Sequence, residues 1–150
     1  MKLKSFRALT WLTALGLLLA GMTSTAMAAD KSMADTKIVL QISDPNPFKQ
    51  TMVLNVANNI IKHYGQDLVK VEIVAFGPGL RLLFEENANK ERIQGLTGQG
   101  VRFSACANTV DGMSKILGHK PVLNSQSVVV DAGVVRIVDL VKQGYILVKP

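Results

Sequence analysis

A single cysteine, Cys106, occurs among the 150 residues of this chain. One thiol cannot close a disulfide within its own chain, so this sulfur is a buried filler, a bridge to another molecule or a reagent. The absence of a Cys-x-x-Cys pair excludes a self-contained dithiol oxidoreductase. Histidine is almost as scarce. His63 and His119 are the only two, and with Cys106 they form no i, i+4 or Cys-x-x-Cys spacing, so no metal site is expected. His63 reads as a residue of a helix's last turn. His119 falls in the polar turn Gly118-His119-Lys120-Pro121, a helix length beyond Cys106, which makes a Cys-His nucleophile pair awkward. The one tryptophan, Trp11, lies in the apolar N-terminal stretch, and the basic residues are scattered singly, so the chain lacks the charged stripe and stacking platform of nucleic-acid binders. No cofactor is expected.

The N-terminus reads as an export leader. Lys2, Lys4 and Arg7 give a positive start, Ala8 to Met22 an apolar stretch, and Ala26-Met27-Ala28 a small-x-small cleavage site. Residues 1–28 are therefore expected to be a cleavable signal peptide, and residues 29–150 one domain, starting at Ala29 or Asp30. The apolar stretch is shorter than a comfortable membrane span and no later segment offers a second, so no membrane association is expected after cleavage. A lone Arg7 points to the general secretory route, and the absence of a cysteine after the leader excludes a lipid anchor there. The expected destination is the periplasm. Without the three leader cations, 14 Lys and Arg face 11 Asp and Glu, a mild excess.

Beyond a polar lead-in, strands and helices alternate. Lys37 to Ser43 carries a short apolar run that ends at Asp44-Pro45-Asn46-Pro47, where two prolines stop strand pairing. Lys49 to Tyr64 places Met52, Val53, Val56, Ala57, Ile60 and Ile61 at helical spacing before Gly65. Further strands are expected at Val71 to Phe76, Val101 to Ala105, Ser127 to Val130 and Tyr145 to Val148. Helices are expected at Leu80 to Glu86, about Lys90 to Thr97, about Thr109 to Leu117 with Asn108 or Thr109 as N-cap, and Val134 to Lys142. This alternation implies a mainly parallel five-stranded sheet with helices on both faces, a three-layer α/β fold of flavodoxin type.

In a parallel sheet all strand-to-helix turns emerge at one edge, the edge where open α/β sheets bind ligands. Asp44, the turn Gly77-Pro78-Gly79, Cys106 with Asn108 and Thr109, and Asp131 to Gly133 are therefore expected to converge. Gly77 and Gly79 allow close backbone approach and Pro78 fixes the turn, although Gly-Pro-Gly is on its own first a turn. Asp44 and Asp131 are equally natural as caps. Unpaired N–H groups and the dipole at a helix start favour a thiolate at Cys106, whereas flanking Ala105 and Ala107 suit tight packing. Reactive and inert readings stand side by side. The helix from Val134 is apolar around most of its girth, as expected of one covered on two sides, so a homo-oligomer is expected.

Three ordered blocks carry a family resemblance: Val71-Glu72-Ile73-Val74-Ala75-Phe76-Gly77-Pro78-Gly79, then Gly100-Val101-Arg102-Phe103-Ser104-Ala105-Cys106-Ala107-Asn108-Thr109, and the ending Ala132 to Ile137 with Gly144 to Pro150. In these the chain resembles the DsrE/DsrF-like (YchN-like) family associated with sulfur relay. The resemblance implies a three-layer α/β fold, assembly into trimers or hexamers, and a cysteine that carries sulfur as a persulfide, a role only Cys106 can inherit. Sulfur donor or acceptor proteins are the partners it implies. It implies a carrier more than an enzyme that turns over a substrate. Relay members are cytoplasmic, and the expected leader sets this chain apart from them. The other function classes in view are an oligomeric module that binds a small ligand at the sheet edge, Cys106 only lining it, and a structural subunit.

Overall fold

The computed structural model describes residues 36–150; the expected leader and its cleavage site lie outside them. Five strands, β1 (Thr36–Ile42), β2 (Val69–Ala75), β3 (Arg102–Cys106), β4 (Ser127–Val130) and β5 (Ile146–Val148), form one all-parallel sheet in the order β4-β3-β2-β1-β5. The expected three-layer α/β architecture is present. No helix among the described residues is long and apolar enough to cross a membrane.

The strand order decides where each helix goes. From β1 to β4 the chain steps in one direction, so right-handed crossovers put α1 (Pro47–Tyr64), α2 (Lys90–Gly98) and α3 (Ala107–Leu117) on one face. The last connection jumps from β4 across the whole sheet to β5, which places α4 (Gly133–Lys142) on the opposite face. Successive strand residues alternate between the two layers. Ile73, Ala75, Phe103 and Ala105 join Val53, Leu54 and Ala57 of α1 in the larger core, whereas Val39 and Val74 meet Ile137 and Leu140 of α4, with Phe76 and Tyr145 packed against them.

Local chemistry explains where elements differ from expectation. α1 starts two residues earlier than Lys49, because Pro47 occupies a position whose N–H would be unpaired anyway and the Asn46 side chain accepts the N–H of Phe48 at 2.9 Å. The expected helix Leu80 to Glu86 is instead a 3-10 segment, Gly77–Leu83, which begins within the glycine turn. A Cβ on Gly79 would lie 2.5 Å from the Ile42 carbonyl oxygen and 2.7 Å from Ser43 Cα, so this backbone is pressed onto the end of β1. The tighter 3-10 winding stacks Leu80 on Leu83, both fully buried. α3 starts at Ala107 and its N-cap is Cys106 itself, in place of Asn108 or Thr109.

The second layer has a polar centre that sequence reading missed. Glu72, 2% exposed on β2, accepts hydrogen bonds from Ser104 Oγ at 2.6 Å, Arg136 Nε at 2.8 Å and Arg136 Nη2 at 2.7 Å, and Arg102 Nε lies 3.7 Å away. This two-pronged pair ties α4 to β2 and β3. With only two of its side chains in the apolar core of that layer, α4 relies on the pair for its seating. Val134, Val135, Val138 and Val141 of α4 remain exposed on its outer side.

Removing Arg136 leaves the buried Glu72 carboxylate with Ser104 and the more distant Arg102 as its partners. Arg136→Met is therefore expected to cost about 1–3 kcal/mol in urea unfolding, and Glu72→Met/Arg136→Met to recover most of that loss. A single variant no less stable than the double would contradict this account of how α4 is held.

Candidate functional site

Adjacent strands β3 and β4 send their chains to opposite faces, β3 into α3 and β4 into α4. In an open parallel sheet that divergence leaves a crevice at the carboxyl ends of the two strands. Cys106, the last residue of β3, is paired in register with Val130 of β4 and lies at that crevice. Here the N-termini of α3 and α4 converge.

The start of α3 is joined to the turn that leads into α4. Asn108 N–H donates to the Asp131 carbonyl at 3.3 Å, linking the start of α3 to the turn before α4. Gly133, the first residue of α4, packs against Cys106: a Cβ there would lie 3.0 Å from Phe76 Cβ and 3.3 Å from Cys106 Cβ. On the other side, Gly77 N–H donates to Thr109 Oγ1 at 2.9 Å, which brings the start of the 3-10 segment to the first turn of α3.

Cys106 makes no capping hydrogen bond of ordinary geometry as a neutral thiol. The surroundings of the sulfur bear on its acidity in two directions. Burial by itself pushes the thiol up, but the Thr109 hydroxyl and the N–H groups of Gly133, Thr109 and Asn108 outweigh it and hold the thiol below its usual value. Two helix starts therefore bear on one sulfur electrostatically. Cys106 is nonetheless only 5% exposed, so the sulfur does not stand open at the rim as a freely presented thiol would.

The expected site residues separate into two groups. Cys106, Asn108, Thr109 and Gly77 come together. Gly79 is turned to β1, and the close glycine approach expected of it toward Cys106 belongs to Gly133. Pro78 is exposed and lines an apolar groove of about 190 Å³ with Arg81, Phe84, Met113, Ile116 and Leu117. Asp44 follows β1, two strands from β3, a separation of roughly 10 Å at ordinary strand spacing. There it accepts from Asn46 N–H at 2.9 Å and pairs with Lys49 at 2.7 Å, and the Lys49 ammonium holds its carboxyl below the usual carboxylate range. Asp44 is a loop-ordering residue. His119 sits past the far end of α3, about 16 Å along an 11-residue helix from Cys106. Among the described residues no group of three His, Cys, Asp or Glu side chains is placed to hold a metal ion.

Gly133 is expected at this edge only as part of the turn Asp131 to Gly133, and nothing in the sequence singles out Phe76 or the Glu72–Arg136 pair as site residues. Beside them a groove of about 300 Å³ runs along α4 and the end of β4, lined by Val130, Asp131, Ala132, Val135, Arg136 and Asp139 among others.

No family model matches the chain, and no curated protein does. Among solved structures, it is similar to a protein of unknown function from Methanobacterium thermoautotrophicum, with 27% identity and a TM-score of 0.67 over 77% of this chain and 100% of that one. That likeness supports the architecture.

Proposed function

We propose that this protein is a periplasmic sulfur carrier in which Cys106 holds sulfane sulfur as a persulfide and hands it to an acceptor thiol. The observation that carries this reading is the position of Cys106, which ends β3 at the crevice where α3 and α4 begin, with Gly133 of α4 packed against it, an arrangement that holds the thiol below its usual value. The same two helix starts favour the charged outer sulfur of a persulfide. The family resemblance of the segment Gly100 to Thr109 supports it, and the leader-like N-terminus supports export.

The chemistry needs no outside oxidant or reductant. The Cys106 thiolate attacks the terminal sulfur of a hydropolysulfide; a new S–S bond forms at Cys106, the donor's S–S bond breaks, and a hydrosulfide or shortened hydropolysulfide leaves with the electron pair. Attack by an acceptor thiolate on the outer sulfur reverses the sequence and restores the Cys106 thiolate.

The burial of Cys106 favours a second reading, in which it is a packed wall of an oligomeric binding or structural module. Intact mass after incubation with inorganic polysulfide separates the two. The carrier is expected to gain one sulfur atom at Cys106, reversed by a reducing thiol and absent from Cys106→Ser. No gain, with thiol reagents reacting only on unfolding, favours the packed wall.

We also infer that further copies of this chain cover α4. Val134, Val135, Val138 and Val141 present 45–57% of their surface outward, an apolar stripe along the helix that alone covers this layer. Light scattering coupled to size exclusion is expected to give a multiple of the single-chain mass, trimeric or hexameric as the resemblance implies. Val138→Lys is expected to shift it toward one chain; a wild-type protein that elutes as one chain contradicts the inference.

A further inference from the structure

β4 stands at the outside of the sheet, and among the described residues no strand lies beyond it in the order β4-β3-β2-β1-β5. The other outer strand, β5, is guarded: three residues long, it leads straight into Lys149-Pro150, a charge and a residue without an N–H. β4 has no such guard. Ser127–Val130 holds three consecutive valines and neither charge nor proline, and Val128 and Val129 are exposed. Its backbone is open as well. The Asp131 carbonyl is turned toward the β3 side, where it accepts the Asn108 N–H, and the groups of successive residues alternate in direction along a strand. Val129 therefore bonds inward to β3, while Val128 and Val130 turn their N–H and C=O outward. The partner that satisfies such a row is another extended backbone.

We propose that this edge pairs antiparallel with β4 of a second copy of the chain, about a two-fold axis that is normal to the sheet and passes through Val129. The backbone directions fix the axis: it sets the outward groups of Val128 against those of Val130 in the second copy, and the reverse, for about four hydrogen bonds in all. The faces match too. Val128 is in register with Ser104 on the α4 side, and Val129 with Ala105 on the side of the larger core, so Val128 meets Val130 on one face and Val129 meets its own copy on the other. The charges are self-complementary. Met113, Ile116 and Leu117 take the flank of α3 that faces the 3-10 segment, which at about 100° per residue leaves the exposed Asp111 and Lys115 on the flank toward the open edge. Among the described residues neither is in an ion pair. The axis brings α3 of the second copy alongside and antiparallel, Asp111 of each toward Lys115 of the other. This contact is separate from the α4 stripe and does not rest on the sulfur chemistry.

Because Val129 faces itself across the axis, charge placed there gives a test that a non-specific apolar contact does not pass. Light scattering coupled to size exclusion is read on the purified protein, on Val129→Lys, on Val129→Glu and on an equal mixture of the two variants, the fold of each checked by circular dichroism. The wild type is expected to hold an even number of chains and each variant half the wild-type mass. The mixture is expected to regain the wild-type mass, since unlike charges then meet at the axis. Val130→Pro, which removes one outward N–H and leaves the pairing with β3, is expected to halve the mass as well and carries the test should a charged variant not fold. An odd number of chains in the wild type overturns the proposal and leaves the edge to solvent or to an extended segment of another protein. A variant that keeps the wild-type mass, or a mixture that stays halved, overturns it too. Val138→Lys on the same column keeps the two interfaces apart: a wild type of three chains rejects the β4 edge alone, and a wild type of two chains that Val138→Lys leaves unchanged rejects the α4 stripe alone.

Discussion

The molecule turns on the parting of two neighbouring strands. β3 and β4 run side by side, yet one feeds a helix below the sheet and the other a helix above it, because the chain must return from β4 across the sheet to β5. The partial positive ends of both helices are left facing the gap. An acidic side chain that ends β3 at this gap gains from both, and the residue found there is the chain's one cysteine. Topology thus sets the electrostatics of the sulfur before any particular side chain is considered.

Two further constraints keep the gap narrow. Gly133 lets the first turn of α4 lie against Cys106 and Phe76 with no room to spare. Glu72, fixed by Ser104 from β3 and gripped by Arg136 three residues into α4, holds that turn down where apolar contact is sparse.

Periodicity made the fold legible. Alternating short apolar runs and 3.6-residue repeats place all five strands and, within a few residues, α1 to α4, since burial on one or two faces writes itself directly into the pattern. The segment after β2 reads as a helix, but its 3-10 type and its start at Gly77 are not legible, because Leu80, Leu82 and Leu83 satisfy several windings and the close approach of Gly79 to the end of β1 is a long-range contact. Cys106, Thr109 and Gly77 were legible from their position at a strand's end. Asp44 lies at the expected edge but two strands from Cys106, because sequence shows which edge a turn occupies and not how many strands separate two turns. Glu72 was hidden inside an apolar run, with no local sign that its partner stood 64 residues away on the last helix. Gly133 looked like one more turn glycine, since close approach depends on a neighbour from another part of the chain.

The account depends on the sulfur of Cys106 being ionised more readily than an ordinary thiol despite its burial. With one cysteine in the chain, selective ¹³C labelling gives a single Cβ resonance whose shift with pH reports that ionisation on the folded protein. A midpoint clearly below the ordinary value of about 8.5 is predicted. A midpoint at or above it would mean that burial prevails over the two helix starts, and the sulfur would then be part of the packing alone.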